Sequence, residues 1–298
     1  MTLWHDDDLS PRPETPVEVW QPTGEPLPLV CDSPHSGTAY PADFGHVLPM
    51  ALLRRGEDTH VHRLWHTAPD HGATLLAATF PRTYIDVNRS TADLDPAQIE
   101  GEWPTPLQPG PKTQQGLGLI WQRISRDGVA TPLYERKRTV AEVQHRIDHY
   151  WRPYHAALQQ AIDASVQRFG CVWHLNLHSM PGDVYRRLGQ EGKVLADFVL
   201  GDRDGTTCAP EFLHLIGDTL KGFGYSVAYN EPYKGVELIG RIGQPHLRRH
   251  SLQIEIRRPV YMDEDTRAPN AGFAPLQQHL DQVLATVADF IRAQGRCA

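Results

Sequence analysis

Two histidines, two arginines and a carboxylate stand at or near the ends of short segments in this chain, and those groups are what metal-assisted hydrolysis needs. Pro34-His35-Ser36-Gly37 follows the run Pro28-Leu29-Val30-Cys31, and His178 follows Val172-Trp173-His174-Leu175-Asn176-Leu177. Each run reads as a buried strand, so each His stands at a strand exit, where open α/β sheets bind ligands. A catalytic zinc keeps three protein ligands and leaves one position for water. His35 and His178 are the candidate imidazoles. Asp58-Thr59-His60-Val61-His62, on a helical stretch, offers Asp58 or His60 as the third ligand. Asp58 is preferred, because two imidazoles with one carboxylate form a common catalytic set.

Arg82-Thr83-Tyr84-Ile85-Asp86-Val87-Asn88-Arg89 carries the densest charge chemistry. Read as a strand, it puts Arg82, Tyr84, Asp86 and Asn88 on one face, with Asn88-Arg89 turning together at its end. An arginine fork pairs bidentately with a carboxylate, so Asn88-Arg89 suits the anchoring of an acidic substrate, and Arg82 suits a developing oxyanion. The competing reading is an ion-pair cluster of Asp86 with the two arginines. In Leu252-Gln253-Ile254-Glu255-Ile256, Gln253 and Glu255 share a face, and a carboxylate at a strand end beside a metal can shuttle a proton from water to a leaving amine. Arg257 lies on that face too, so a plain Glu255–Arg257 pair competes.

The elements that must position these groups alternate along the chain. Strands are predicted at 28–32, 74–79, 83–87, 172–177, 198–200, 225–229 and 252–256. Helices are predicted from 48 through 65, over 140–169 with a stripe from Val143 to Val166, over 210–223 and over 275–293. Residues 9–26 read as an irregular, Pro-rich lead-in, and 90–138 as a Pro/Gly-rich excursion. Strands alternating with helices favour a three-layer α/β/α fold with a mainly parallel mixed sheet. The expected organisation is a lead-in over 1–26 and a single hydrolase domain over 27–298.

Composition excludes other classes. A formal charge of −7 over 298 residues argues against a nucleic-acid partner, which would require a basic face. No segment approaches the roughly 20 apolar residues of a membrane span. The N-terminus lacks the basic and apolar parts of a signal peptide, which predicts a cytoplasmic protein with reduced thiols. Cys31, Cys171, Cys208 and Cys297 show no paired spacing, and Cys31 and Cys171 read as apolar fillers. Scattered histidines such as His71, His155 and His214 read as surface or capping residues.

With these motifs in order, the chain resembles the N-formylglutamate amidohydrolase (deformylase) family, which is related to zinc carboxypeptidases and aspartoacylase. The matching pieces run from His35 to Met262: Pro-His-Ser-Gly at 34–37, Asp-x-His at 58–60, Ile-Asp-Val-Asn-Arg at 85–89, Arg-Pro-Tyr-His at 152–155, His-Ser-Met at 178–180, Leu-Gly-Asp-Arg at 200–203 and Leu-Gln-Ile-Glu-Ile at 252–256. The resemblance implies a zinc-carboxypeptidase-like fold and one zinc per chain, with another divalent metal as the alternative. It implies His35 and His178 as zinc ligands, Asn88 and Arg89 on the substrate carboxylate, Arg82 polarising the scissile carbonyl and Glu255 as general base. It also implies a small N-acyl amino acid such as N-formylglutamate as substrate, and the family's link with histidine degradation. Two positions depart from the pattern. Thr38 stands three residues after His35, so the carboxypeptidase His-x-x-Glu pair is absent. Val236 and Gly240 replace a Gly and an Arg, with Arg241 one residue on as a candidate substrate contact. Those changes leave open an amidase or carboxypeptidase-like enzyme for a larger substrate, and a carboxylate-binding protein without turnover.

Overall fold

The computed structural model describes residues 15–126 and 128–295; the readings made for residues 1–14 and for Cys297 lie outside them. At its centre is a seven-stranded sheet of β1 (Val17–Trp20), β2 (Leu29–Ser33), β3 (Thr74–Ala78), β4 (Val172–Met180), β5 (Phe198–Gly201), β6 (Val227–Tyr229) and β7 (Arg249–Arg257). Their order is β1-β3-β2-β4-β7-β5-β6. β3, β2, β4 and β7 run parallel, while β1 and β5 each enter antiparallel and β6 follows β5. The sheet is therefore mixed and mainly parallel, as the alternation of elements predicts. β1 corrects the reading of 9–26 as irregular throughout: Val17–Trp20 pairs with β3 through backbone bonds, despite the prolines around it.

The helices are α1 (Val140–Arg146), α2 (Arg152–Phe169), α3 (Pro210–Gly222), α4 (Glu237–Ile242) and α5 (Phe273–Ala293). Alternation along the strands assigns them to two layers. On one face Leu29, Cys31, Trp173, Leu175, Leu177, Leu252, Ile254 and Ile256 form a wholly apolar core with α3 and α5. In α5 the core positions Leu276, Leu280, Val283, Leu284, Val287 and Ile291 recur at steps of three and four, one stripe of the helix. On the opposite face Asp32, His174, Asn176, His178, Ser251, Gln253 and Glu255 form a buried polar row. Over that face pack Tyr154, Leu158 and Ile162 of α2 and Leu238 and Ile242 of α4. Helices on both faces give the three-layer α/β/α fold.

The predicted helix 140–169 is continuous but contains a π-turn at Ile147–Trp151, where the Arg152 N–H reaches back to the Ile147 carbonyl. Pro153 follows immediately; its missing N–H and its ring make a regular turn unfavourable there. The helix predicted from Leu48 resolves into short turns, among them Met50–Leu53 and Val61–Leu64. Two residues break it: Gly56, pressed against Thr83 and Trp121, and His60, whose φ of 69° is left-handed. Among the described residues no helix is long and apolar enough to cross a membrane. The excursion contains a hairpin, Arg123–Arg126 with Val129–Pro132.

Candidate metal centre and active site

The Pro-His-Ser-Gly turn leaves β2 under a tight steric constraint. A Cβ at Gly37 would lie 2.3 Å from the Thr79 carbonyl carbon, so glycine alone lets the turn pass the end of β3. The turn carries His35, which is fully buried, into the sheet's polar row. The Asp58 N–H donates to the His35 carbonyl at 2.9 Å, which brings Asp58 alongside. His178 arrives from β4, and in the β4–β7 register it stands directly beside Glu255.

His35 Nδ1 lies 3.1 Å from His178 Nδ1 and 3.4 Å from Asp58 Oδ2, and His178 Nδ1 lies 3.1 Å from that same Oδ2. The far side of each ring decides what faces this centre. His35 Nε2 meets Asp86 Oδ1 at 2.8 Å, and a carboxylate there accepts the Nε2 proton. His178 Nε2 meets Asn176 Oδ1 at 2.7 Å, and Asn176 is oriented by donating from Nδ2 to Asp32 Oδ1 at 2.8 Å. Both imidazoles thus keep their proton on Nε2 and turn the Nδ1 lone pair inward. Two nitrogen lone pairs and a carboxylate oxygen converge with no proton between them, and a cation suits that arrangement. His35, Asp58 and His178 are the one group among the described residues whose ligand atoms fall together in this way, within 4.8 Å of one another. The donor set fits a zinc ion. His60 is not part of it: its Nε2 bonds the Arg267 carbonyl at 2.8 Å.

Electrostatics favour the charged state of two acids and the neutral state of a third. Burial opposes the Asp58 carboxylate, but its two imidazole neighbours, His178 and His35, and the charge of Arg258 together hold its pKa well below the usual range. Arg258 Nη2 reaches Asp58 Oδ1 at 3.0 Å, and its Nε reaches Ser179 Oγ at 3.1 Å. Burial also opposes Asp86, which Arg82 and His35 nonetheless hold well below its ordinary value. Glu255 goes the other way: burial, then the nearby Asp58 charge, push its pKa well above the ordinary value. Its Oε1 accepts from Gln253 Nε2 at 3.1 Å. Arg257 does not pair with it, as the competing reading expected, but bonds Asp197 at 2.6 Å.

Residues 82–89 are not a strand, which corrects the prediction of an extended segment there; they form an irregular buried loop. Buried carbonyls need partners, and side chains from the α1–π–α2 helix supply them. Arg146 Nη1 donates to Tyr84 O at 2.8 Å, His155 Nε2 to Val87 O at 2.8 Å and Trp151 Nε1 to Arg89 O at 2.9 Å. His155 is accordingly buried, not superficial, and burial lowers its pKa to about 3. Within the loop, Asp86 Oδ2 accepts from Arg82 Nε and Nη2 at 3.1 and 2.7 Å and from Trp121 Nε1 at 3.2 Å, while Arg82 lies over the Trp121 ring. The ion-pair reading thus holds for Arg82, with Asp86 also serving His35. Asn88 Nδ2 lies 3.4 Å from His178 Nε2, and its Oδ1 accepts from the Leu238 N–H at 3.0 Å. Arg89, 8% exposed, donates from Nη1 to Asn88 O and from Nε to Leu117 O.

The structure therefore assembles His35, Asp58, Arg82, Asn88, His178 and Glu255 around one centre, with Arg89 behind Asn88. Arg241 is exposed on α4, with its charge acting on His155 and Asp32. Sequence reasoning missed Arg258, whose burial no local pattern announces, and a sealed network in which Asp32 Oδ1 meets His174 Nε2 at 2.8 Å and His174 Nδ1 meets Ser251 Oγ at 2.7 Å. All three are 0% exposed, so this Ser-His-Asp set has no access to substrate and supports Asn176 from beneath. A cavity of about 450 Å³ in the excursion, lined by Gln98, Arg123 and Tyr134 among others, contains none of the site residues.

The chain is similar to known proteins over most of its length. The model of the family described as N-formylglutamate amidohydrolase matches residues 27–262. A protein of Pseudomonas aeruginosa named N-formylglutamate deformylase is 30% identical over 274 residues, covering 91% of this chain and 94% of the relative. One of the same name from Pseudomonas putida is 29% identical over 242 residues, covering 80% and 83%. The crystal structure of N-formylglutamate amidohydrolase from Ralstonia eutropha JMP134 is 60% identical and superposes with a TM-score of 0.91, covering 94% of this chain and 99% of that one. Since the family model spans most of the chain and two of these relatives match it nearly end to end, this chain belongs to the N-formylglutamate amidohydrolase family.

Proposed function

We propose that this protein is a zinc-dependent amidohydrolase that cleaves the formyl amide of N-formylglutamate, releasing formate and glutamate. The observation that carries the reading is the meeting of His35, Asp58 and His178, lone pairs inward, beside a Glu255 that burial keeps basic. A zinc ion held by those three residues supplies Lewis acidity and lowers the pKa of water at the site to about 7.

The chain's own residues do the rest. As the carboxylate, the form that the charge of a zinc ion at the site would favour, Glu255 takes the proton of the attacking water, and its raised proton affinity lets it hold that proton until it returns it to the amide nitrogen as the C–N bond breaks. Two bonds to Asp86 fix the Arg82 guanidinium and leave its Nη1 to donate to the formyl oxygen as negative charge develops there. Asn88 and Arg89 bind a carboxylate of the substrate, and burial of the cluster excludes competing water.

Metal content and formate release from N-formylglutamate, measured together, test this. About one zinc per chain is expected, and Glu255→Gln should keep the zinc while losing about 10²- to 10⁴-fold in kcat. Full activity in that variant would remove Glu255 from the mechanism; bound zinc with no formate release would remove the substrate.

A further inference from the structure

The Pro/Gly-rich excursion packs a further cation against the loop that carries Arg82 and Arg89. Its residues 110–121 are laced to the 82–93 loop. The Gly110 N–H donates to Asp93 Oδ1 at 2.7 Å, the Leu119 N–H to Asp93 O at 2.9 Å, the Asp86 N–H to Leu119 O at 2.8 Å, and Arg89 Nε to Leu117 O at 3.2 Å. Leu117 in turn donates its N–H to the Lys112 carbonyl at 2.8 Å. This lacing brings Lys112, in the helical turn Pro111–Gln114, onto the segment that bonds Arg89 through Leu117.

The Lys112 ammonium has one weak contact, Gln115 Oε1 at 3.5 Å, and among the described residues no carboxylate pairs with it. The acids nearby are already engaged. Asp86 accepts from His35, Arg82, Trp121 and the Asn88 N–H. Asp93 accepts from Gly110 and the Thr113 hydroxyl. Burial, followed by the charges of Arg89 and Arg82, lowers the Lys112 pKa, with no acid to offset them. Asp86 pairs with Arg82 and Asp93 lies 3.9 Å from Arg89, so Lys112 is the cation of the three without a carboxylate partner among the described residues, and its charge remains to attract anions.

We propose that Lys112, acting with Arg89, binds the second carboxylate of the substrate and so selects N-formylated dicarboxylic over monocarboxylic amino acids. This rests on the hydrolase reading above. With the formyl group at the metal centre and Arg82 at its oxygen, a dicarboxylic substrate presents two carboxylates to a loop in which Arg89 is the one other guanidinium, so a second cation is needed. Lys112 supplies it from an excursion, the kind of segment on which specificity is varied without disturbing the core.

The test uses zinc-loaded full chain, wild type against Lys112→Met and Lys112→Arg, with N-formylglutamate and N-formylglutamine as substrates. Lys112→Met should raise KM for N-formylglutamate about 10- to 100-fold, the worth of a charged hydrogen bond. Its kcat, and its kinetics with N-formylglutamine, should change less than about twofold, and Lys112→Arg should recover part of the loss. An unchanged ratio between the substrates, or an equal loss on both, overturns the proposal. Calorimetry with glutarate and butyrate separates it from the hydrolase reading. If the wild type holds zinc but cleaves neither substrate, glutarate binding that depends on Lys112 still supports the dicarboxylate site. Glutarate binding indifferent to Lys112 sinks it.

Discussion

Asp58 and His60 are two residues apart, yet their surroundings separate them sharply. Asp58 is tied by its N–H to His35 and by one oxygen to Arg258 while the other faces His178 Nδ1, whereas the left-handed backbone at His60 swings that ring to the Arg267 carbonyl. Removing Asp58 deletes a donor from the cluster; removing His60 deletes a bond elsewhere. Competition with a chromogenic chelator should therefore show Asp58→Asn weakening zinc binding by more than about tenfold. His60→Gln should stay within about twofold of wild type. The reverse pattern would reassign the third ligand.

At the scale of elements, the catalytic loop 82–89 owes its shape to the helix that lies over it, and that helix is anchored at its start. Thr139 caps α1: the Glu142 N–H donates to Thr139 Oγ1 at 3.2 Å, the Thr139 N–H returns to Glu142 Oε2 at 2.7 Å, and Arg136 brackets the same carboxylate at 2.7 and 2.8 Å. The bond from Arg136, with those from Thr139, lowers the Glu142 pKa to about 2. A carboxyl whose folded pKa lies below its unfolded one stabilises above the unfolded value and loses that contribution as pH falls through the folded one. Glu142→Gln keeps the cap's geometry and removes the charge. Urea unfolding should show it less stable by about 0.5–1 kcal/mol at pH 7, with the gap closing between pH 4.5 and about 2. A gap independent of pH would mean that the charge contributes nothing.

For the whole molecule, the two faces of the sheet have different tasks. One is a continuous apolar core under α3 and α5; the other buries Asp32, His174, Asn176, His178 and Glu255, and buried polar groups are tolerable only when each is bonded. The inward lone pairs of His35, Asp58 and His178 are acceptors that a cation would satisfy, so metal binding should stabilise the entire fold. Free zinc a thousandfold above its dissociation constant adds about 4 kcal/mol, which for a chain of this length raises Tm by roughly 6 °C. Calorimetric scans before and after chelation should show that loss, and its reversal on adding zinc. An identical Tm with the zinc demonstrably removed would mean the cluster is equally stable without a cation.

The sequence by itself determined the parts governed by short-range periodicity. Alternation in Val172–Leu177 and Leu252–Ile256 disclosed the sheet and placed Asn176 with His178 and Gln253 with Glu255 on common faces. Steps of three and four disclosed the helices at 140–169 and 275–293. Single spacings also brought His35, Asp58 and His178 to notice, because chemically loaded residues at strand exits stand out from an apolar background. The tertiary structure alone decided what depends on contacts between distant segments. The loop at 82–89 looked like a strand because its alternation is genuine, but Arg146, Trp151 and His155 satisfy its carbonyls from a helix more than fifty residues on. Val17–Trp20 became a strand because β3 offered an edge, and Glu255 escaped Arg257 because Arg257 bonds Asp197. Local pattern reports which face a side chain takes; only packing settles which partner meets it there, since that depends on segments the chain brings together from far apart.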